Sequence, residues 1–395
     1  MRFRVERNDL TDAVAWTART LPARATVPVL SGLLLDVGGE GDSGGGPEGL
    51  LLSGFDFEVA AQARVAVTVA EPGRVLVSGR LLAEICRALP AAPVELSSDG
   101  ARVVLTCGAA RFTLPTMQVE DYPTLPAMPP VAGTIAAAAF ATAVAQVAIA
   151  AGRDDTLPVL TGVRVEIDGE TLTLAATDRY RLAVRELPWR PVEPGASAVA
   201  LVPARTLSEA AKALAGGSAE VTLALGSGAQ GEGMAGFSGG SRRTTTRLLE
   251  GEFPKYRALL PSSFDAVAEV DAALLTDAVK RVALVSASRT APVRLLFSGS
   301  GADGELVLEA GSGDDAQATE TLAASFTGEP LTIAFNPAFL LDGLGQLDGD
   351  TARLSFTSAT RPAILTGKPG AEGSADDGSV TADYRYLLMP VRLPG

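Results

Sequence analysis

The chain has 395 residues, and 46 acidic residues against 33 basic ones give it a formal net charge of −13. It contains no histidine and only two cysteines. Since histidine is the usual general base and, with cysteine, the usual zinc ligand, this composition excludes a Ser-His-Asp triad, a Cys-His pair and an HExxH zinc site. The acidic total also argues, at first sight, against binding to nucleic acid.

The beginning of the chain, MRFRVERNDL, alternates charged and apolar residues and has no apolar stretch long enough for a secretion signal. Cys86 and Cys107 are too few for a disulfide framework, and we interpret both as small core residues. The uncharged segment between Asp121 and Arg153 is rich in proline and alanine, which favours a linker and an alanine-rich helix over a membrane span. These features predict a cytoplasmic protein without membrane contact.

Internal similarity divides the chain into three repeats. The string VPVLSGLLLDV around Pro28 returns as LPVLTGVRVEI around Pro158, 130 residues later, and more loosely as APVRLLFSG around Pro292, a further 134 residues on. Offsets of this size are typical of whole domains rather than of solenoid units. The predicted domains, with joints at proline-marked strings, are 1–126, 127–261 and 262–395.

A helix is predicted before each of these strings, because apolar residues recur there at helical spacing. The apolar positions are Leu10, Ala13, Val14, Thr17 and Ala18, then Phe140, Val144, Val147 and Ala148, and then Leu274, Ala278, Val282 and Val285. Short alternating segments joined by turns rich in glycine or aspartate indicate strands between the helices. Each repeat is therefore interpreted as two helices and roughly eight strands.

The second helix of the first two repeats carries a basic face. Arg80 and Arg87 lie seven positions apart in SGRLLAEICRAL, opposite a predicted apolar face. The same spacing separates Arg205 and Lys212 in PARTLSEAAKAL, whereas the third copy, NPAFLLDGLGQL, has no basic residue. The apolar face predicted for the first of these helices is Leu81, Leu82, Ile85 and Leu89.

Five strings resemble the bacterial DNA polymerase III β subunit, the replicative sliding clamp, in its actinobacterial form. They are LPARATVPVLSGLLL, AATDRYRLAVREL, LEGEFPKYRALLP, IAFNPAFLLDGL and YLLMPVRL. The resemblance runs from Met1 to Leu393. It implies an α+β fold of three repeated clamp domains, each with two helices backed by antiparallel sheets, and two chains that close head to tail as a dimeric ring.

The resemblance also implies a function. It is that of a non-enzymatic processivity factor that encircles duplex DNA and needs no cofactor or metal. Its expected partners are the DNA polymerase III α subunit, the clamp loader, and other polymerases and repair proteins with clamp-binding peptides. The acidic pairs Asp154-Asp155 and Asp314-Asp315 lie in turn-like strings, where solvation is favoured over metal binding.

DNA contact is assigned to Arg24 by the resemblance and to further basic residues by their position. These are Arg80, Arg87, Arg205, Lys212, Arg153, Lys280 and Arg281. A solvated surface cation is the alternative interpretation for each. Acidic residues in the loops and tail are expected at the outside or edges of such a ring, so the net charge does not contradict DNA binding. They are Glu40, Asp42, Glu48, Glu372, Asp376 and Asp377.

In the family, short peptides of partner proteins enter an apolar cleft between the second and third domains. The corresponding positions here are Leu160, Thr177, Arg179, Tyr180, Arg181, Leu182, Pro254, Leu259, Leu388, Met389, Pro390, Val391, Arg392 and Leu393. Leucine, methionine and proline provide an adaptable apolar slot that suits several partners. Leu387, just before the last group, is interpreted as part of a buried strand, and Pro394 and Gly395 extend past the usual terminal leucine.

The resemblance further implies a dimer contact in which Phe112 and Leu114 of one chain meet Leu284 and Val285 of the other. Core packing is the competing interpretation for these four residues. Two other functions remain open. One is a specialised second clamp that is insensitive to cleft-binding inhibitors. The other is an enzyme on the same scaffold, which the lack of histidine and of a nucleophile motif disfavours.

Overall fold

The computed structural model describes residues 1–38, 49–227, 230–286, 288, 291–311, 316–368 and 384–392. The acidic loop and tail residues named above, Asp314-Asp315, Leu393 and the two residues after it lie outside these ranges. The described helices are α1 (Arg7–Thr17), α2 (Gly79–Ala88), α3 (Ala137–Ala148), α4 (Ala204–Ala215), α5 (Ala272–Val282) and α6 (Pro337–Leu344). Among the described residues, none of these helices has the length and apolarity that crossing a membrane requires.

The strands fall into three successive groups along the chain. The first group is β1 (Arg2–Val5), β2 (Gly32–Val37), β3 (Gly49–Phe55), β4 (Val59–Ala66), β5 (Thr68–Glu71), β6 (Gly73–Ser78), β7 (Val94–Asp99), β8 (Arg102–Cys107) and β9 (Ala110–Met117). The second is β10 (Val131–Ala136), β11 (Gly162–Asp168), β12 (Thr171–Thr177), β13 (Arg181–Pro188), β14 (Arg190–Pro191), β15 (Ser197–Pro203), β16 (Glu220–Ser227), β17 (Gln230–Gly239) and β18 (Arg242–Arg247). The third is β19 (Ala266–Asp271), β20 (Val293–Ser298), β21 (Gly301–Ala310), β22 (Ala318–Thr327), β23 (Leu331–Phe335), β24 (Thr351–Phe356), β25 (Ala363–Lys368) and β26 (Tyr384–Leu388).

The chain divides into two compact units, each built on one antiparallel sheet. The first comprises Met1–Ala141, Arg190–Pro194 and Glu209–Leu248, and the second Thr142–Trp189, Gly195–Ser208 and Leu249–Gly395. The 14-stranded sheet of the first unit has the order β14-β10-β16-β17-β18-β4-β3-β2-β6-β9-β8-β7-β1-β5. The 12-stranded sheet of the second has the order β15-β11-β12-β13-β26-β25-β24-β19-β22-β21-β20-β23.

One strand pairing occurs in both sheets. In the first unit, β18 pairs with β4, so that Thr246 lies opposite Val59. In the second unit, β26 pairs with β13, and Leu388 lies opposite Arg181. In both cases the last strand of one repeat extends the sheet of the repeat before it.

The helices bury one apolar stripe each, with two departures from the sequence pattern. Leu81 is 42% exposed and Leu274 is 57% exposed, so both predictions of buried positions are wrong. In α5 the side chain of Asp271 accepts a hydrogen bond from the Leu274 amide and fixes the start of the helix. The inward stripe at i, i+3, i+4 and i+7 then begins one residue later, at Leu275, because each residue turns the helix by 100°. The buried residues are Leu275, Ala278, Val279 and Val282.

The core of the first unit confirms the interpretation of both cysteines as core residues. Cys86 and Cys107 have no exposed surface, and both belong to one apolar cluster that α1 and α2 build over the strands. Burial raises the pKa of the Cys86 thiol to about 12, so that it stays protonated at neutral pH. A buried neutral thiol is inert and packs like a small apolar side chain.

Candidate functional site

An open cleft of about 600 Å³ lies in the second compact unit. Three segments form it: the stretch that follows α3, the tip of the β12–β13 hairpin, and the first turns of α6. Its walls consist of Ala151, Gly152, Arg153, Asp154, Leu157, Leu160, Asp178, Arg179, Tyr180, Arg181, Ala338, Phe339 and Asp342. The volume suits a few side chains of a bound segment rather than a large cofactor.

The tip of the β12–β13 hairpin is held by side-chain hydrogen bonds. One carboxylate oxygen of Asp178 accepts from the backbone amides of Tyr180 and Arg181, both at 3.0 Å. The Thr177 hydroxyl accepts from the amide of Arg179 at 3.2 Å and donates to the Arg181 carbonyl at 2.7 Å. Arg179 has a φ of 79°, in the left-handed region that favours glycine. The turn directs Arg179 and Tyr180 toward solvent, where Tyr180 is 57% exposed.

Arg181 is the buried charge of the cleft. Its Nε lies 2.9 Å from Asp178 and its Nη1 lies 2.5 Å from Asp342, while the guanidinium carbon stands 4.5 Å from the centre of the Phe339 ring. Burial alone lowers the pKa of this guanidinium, but Tyr386, Asp342 and Asp178 outweigh it, and the net pKa is raised. The charge is therefore permanent and compensated, as a buried ion requires.

Phe339 is held between two side chains of the hairpin tip. Its ring stacks on Tyr180, with centroids 6.2 Å apart and planes inclined by 24°, and its other neighbour is Arg181. The Tyr386 hydroxyl donates to the Phe339 carbonyl at 2.9 Å. Burial raises the pKa of Tyr386, which keeps this donor protonated. Asn336 caps α6 through the Ala338 amide, and this cap places Phe339 in the first turn.

The chain after β26 borders the hairpin tip. The Met389 amide donates to the Tyr180 carbonyl at 2.9 Å, and the Met389 side chain is 41% exposed. Leu387 and Leu388 are buried, and Leu387 joins Leu182 in an apolar cluster with Phe253 and Tyr256. The buried last strand predicted for Leu387 is thus confirmed.

The structure brings only part of the predicted cleft set into the cavity wall. Leu160, Arg179, Tyr180 and Arg181 line it, whereas the other described members of that set do not. Thr177, Leu182 and Leu388 are buried, Leu259 is 51% exposed, and Pro254 is half-buried. Pro390 and Val391 are half-buried and Arg392 is exposed. Leu393 lies outside the described residues.

Sequence reasoning missed the contribution of α6. Phe339 and Asp342 line the cleft and both contact Arg181. The string IAFNPAFLLDGL carried the resemblance but was analysed only for its missing basic face. Arg153, predicted as a DNA contact, also lies on the cleft wall, beside Asp154. Hydrogen bonds from Thr156, together with the nearby Arg179, lower the pKa of Asp154.

A basic groove of about 420 Å³ lies on the first unit. Its walls are Ala15, Ala18, Arg19, Arg80, Ala83, Glu84 and Arg87. Arg80 donates to the Pro22 carbonyl at 2.9 Å, and in the described part of the chain neither Arg80 nor Arg87 is ion-paired with Glu84. Arg19 was not singled out from the sequence, because it lies just after α1 rather than on the repeated basic face. Arg24, on the segment after it, is exposed.

The basic residues of the third repeat have carboxylate partners. Lys280 lies 3.4 Å from Asp277, and Arg281 makes two hydrogen bonds to Glu320. The Glu320 hydrogen bond raises the pKa of Arg281, and the reciprocal bond lowers the pKa of Glu320. In the second repeat, Arg205 and Lys212 are both exposed. Uncompensated positive charge is therefore concentrated on the earlier repeats.

The four predicted dimer residues differ in exposure. Leu284 is 83% exposed, and Val285 is half-buried. Phe112 is partly buried against the first core, and Leu114 is only 1% exposed within it. Core packing therefore accounts for Leu114 in the single chain, whereas nothing in the single chain covers Leu284.

Three repeats of two helices backed by antiparallel strands, an apolar cleft and a basic helix groove define a clamp-like binding protein. The chain belongs to the DNA polymerase III beta subunit family. Models of the N-terminal, central and C-terminal domains of that family match residues 1–126, 134–255 and 257–376. The chain is accordingly a sliding clamp of three clamp domains, a non-catalytic processivity factor of DNA replication.

Individual relatives agree with this assignment. A beta sliding clamp of Streptomyces coelicolor is 56% identical over 396 residues and is matched over 100% of both chains. The beta sliding clamp homolog GriR of Streptomyces muensis is 46% identical, with 99% of each chain covered. The solved DNA polymerase III subunit beta of Pseudomonas aeruginosa is 28% identical, with a TM-score of 0.85 over 99% of this chain and 100% of that one. A sliding clamp of the same organism bound to griselimycin has a TM-score of 0.87 at 28% identity and covers 100% of both chains.

Proposed function

We propose that two copies of the chain close head to tail into a ring around duplex DNA, and that the cleft tethers polymerases and repair proteins to it. The DNA polymerase III α subunit and the clamp loader are the expected principal partners, and the cytoplasm is the expected location. The proposed domains are 1–126, 127–261 and 262–395. One observation carries the ring: a strand pairing that is present twice in each chain and is lacking a third time.

The last strands of the second and third repeats, β18 and β26, pair with β4 and β13. By the same rule, β9 of the first repeat requires the strand that corresponds to β4 and β13 in the third, which is β22. In the described chain β9 pairs with β8 and β6, and β22 pairs with β21 and β19. A second copy supplies both missing partners, and two such contacts close a ring without free ends.

An arginine repeats at the same register of these joints. Arg243 lies opposite Gln62 and donates to its side chain, and Arg385 lies opposite Val184 and reaches Glu186. Arg111 holds the corresponding place in β9 and is exposed. We infer that Arg111 faces β22 of a second copy, next to Phe112 and Leu114, while Leu284 and Val285 lie on the opposing chain.

The basic groove supports contact with DNA phosphates. Arg80 and Arg87, together with Arg19 and Arg24, place unpaired guanidinium groups on one domain without a device for reading base edges. Such contacts do not depend on sequence, as sliding requires. Arg205 and Lys212 extend the proposed surface. Lys280 and Arg281 contribute less because carboxylates compensate them, and Arg153 is better placed for the cleft.

Topological retention tests the ring directly. After a clamp loader places the protein on a nicked circular plasmid, it should remain with the DNA through gel filtration and leave once the plasmid is cut. An intact plasmid exposed to the protein without the loader is the control. Equal retention on circular and linear DNA would contradict enclosure, because attraction alone would then explain binding.

The specialised second clamp remains a candidate because GriR is 46% identical to this chain. The 56% identity to the Streptomyces coelicolor clamp supports the main replicative role. Griselimycin separates the two, since a sensitive clamp should release a bound partner peptide as the compound is titrated. Persistence of the peptide at saturating griselimycin would support the specialised clamp.

A further inference from the structure

Two arginines on the wall of the cleft have charges that no carboxylate within ion-pairing distance compensates. Arg153 and Arg179 are both exposed, and neither forms an ion pair with another described residue. Arg181 differs from them, because Asp178 and Asp342 neutralise it. The cleft therefore contains one internally balanced charge cluster and two guanidinium groups that are open to a ligand.

The acidic residues of the cleft are already engaged. Arg181 holds Asp178 and Asp342, and Asp154 accepts hydrogen bonds from the Thr156 hydroxyl at 2.6 Å and the Thr156 amide at 3.0 Å. Arg179 is close enough to Asp154 to help lower its pKa, but the two make no ion pair. A ligand that enters the cleft thus encounters more available positive than negative charge, although the whole chain carries −13.

Arg179 occupies a backbone position that glycine would adopt without strain. Its φ of 79° is matched by the φ of 75° at Phe57, the corresponding residue at the tip of the β3–β4 hairpin. The left-handed conformation therefore belongs to the hairpin itself and does not depend on arginine. The side chain of Arg179 is exposed on the cleft wall, where a charged ligand group can reach it.

The rest of the wall is apolar and aromatic. Leu157 is 37% exposed, Tyr180 is 57% exposed, and Phe339 stacks on Tyr180. Such a surface favours apolar side chains over a nucleic-acid backbone, which would leave the aliphatic wall without a partner. The two charges and the apolar wall together describe a peptide with both kinds of group.

We propose that the cleft selects peptide segments with an aspartate or glutamate beside their apolar anchors, and that Arg153 and Arg179 are the residues that select it. This inference rests on the proposed peptide-binding function and names the chemical class of the partner segment. The carboxylate pairs with the open guanidinium groups while the apolar anchors cover Leu157, Tyr180 and Phe339. Exposed pairs of this kind contribute modestly, so we expect discrimination of about three- to tenfold rather than an absolute requirement.

Three fluorescent peptides test the proposal with the full-length protein. They share an adjacent Leu-Phe pair and differ at one flanking position, which is Asp, Asn or Lys. Wild type should bind them in the order Asp, Asn, Lys, with about three- to tenfold between the extremes in low salt. At about 1 M salt, where the Debye length is about 3 Å, the three affinities should converge.

Variants identify the residues that are responsible. Arg179→Glu and Arg153→Glu should each reverse the order, so that the Lys peptide binds best. Arg179→Gly, which suits the left-handed backbone, should keep the fold and lose the preference for Asp. Arg361→Glu changes an exposed arginine that does not line the cleft and should leave the order intact.

The outcomes separate this inference from the function on which it rests. Equal binding of the three peptides by wild type would overturn the charge selection and leave the peptide cleft standing. Failure of all three to bind would overturn both. If Arg153→Glu preserved the peptide order but weakened retention on circular DNA, Arg153 would be a DNA contact, and its part in the selection would be refuted.

Discussion

The guanidinium of Arg181 lies 4.5 Å from the centre of the Phe339 ring. Through this contact the tip of a hairpin and the first turn of a helix, 158 positions apart by their residue numbers, share one wall of the cleft. The same guanidinium reaches Asp178 and Asp342. The shape of the cleft therefore depends on a single buried side chain.

Arg181→Ala should destabilise the protein by about 2–4 kcal/mol, because it leaves Asp178 partly buried without its counter-ion. Chemical denaturation monitored by circular dichroism measures this loss. Arg181→Lys should recover only part of it, since an ammonium cannot form the same fork or stack on Phe339. As a control, Arg361→Ala changes an exposed side chain and should stay within about 0.5 kcal/mol of wild type. Equal effects of the two alanine variants would contradict the structural role of Arg181.

Glu166 should make stability depend on pH in the acid range. Burial alone raises the pKa of Glu166, but hydrogen bonds from Arg257, Arg164 and Tyr256 outweigh it, and the net pKa is lowered. A carboxyl with a depressed pKa stabilises the fold above its unfolded value of about 4.3, and this stabilisation is lost as the pH falls through the folded value.

The unfolding free energy of wild type should therefore fall more steeply below about pH 4.3 than that of Glu166→Gln. Urea titrations at a series of pH values compare the two proteins. At neutral pH the variant should be the less stable one, because it loses the charged pairs to Arg164 and Arg257. Parallel curves for the two proteins would show that Glu166 is not the group responsible.

Leu284→Asp should convert the dimer to monomers. The Leu284 side chain is 83% exposed in the single chain, so the substitution leaves the core unchanged and the melting temperature of the monomer fold intact. Sedimentation velocity gives the oligomeric state. Leu274→Asp is a matched control, since Leu274 is also an exposed helix leucine and is not assigned to the interface. A dimer that survives Leu284→Asp would refute the proposed contact, and Phe112→Asp provides the reciprocal test on the other chain.

Met389→Asp should weaken a peptide from the C-terminal region of the replicative polymerase by about tenfold or more, because it places a carboxylate on the apolar rim beside Tyr180. Fluorescence anisotropy measures the affinity. Met389→Leu conserves volume and should bind nearly as wild type does. If wild type itself does not bind the peptide, the assignment of the cleft fails.

The double variant Arg80→Glu, Arg87→Glu should shorten retention on circular DNA and reduce the salt dependence of binding. Each lost phosphate contact lowers the slope of log affinity against log salt by about one. Lys280→Glu should have a smaller effect, because Asp277 already pairs with Lys280. Equal effects at both sites would show that compensation by carboxylates does not decide which cations meet DNA.

Several parts of the fold could be predicted from the sequence because they are encoded in short windows. The strings around Pro28 and Pro158 identify the repeats, and the basic residues spaced by seven lie on helices in the structure. The exact inward face could not be predicted in the same way. Leu81 and Leu274 lie beside buried positions, and a rotation of one residue decides their exposure.

The sequence by itself determined the family, the three repeats and most of the hairpin tip of the cleft, because each of these depends on residues close together in the chain. Only the tertiary structure decided which charges are free. Asp342 neutralises Arg181 from 161 positions away, and Glu320 neutralises Arg281 from 39 positions away. Compensation of charge is an interaction through space that falls with distance, and no spacing in the sequence records it.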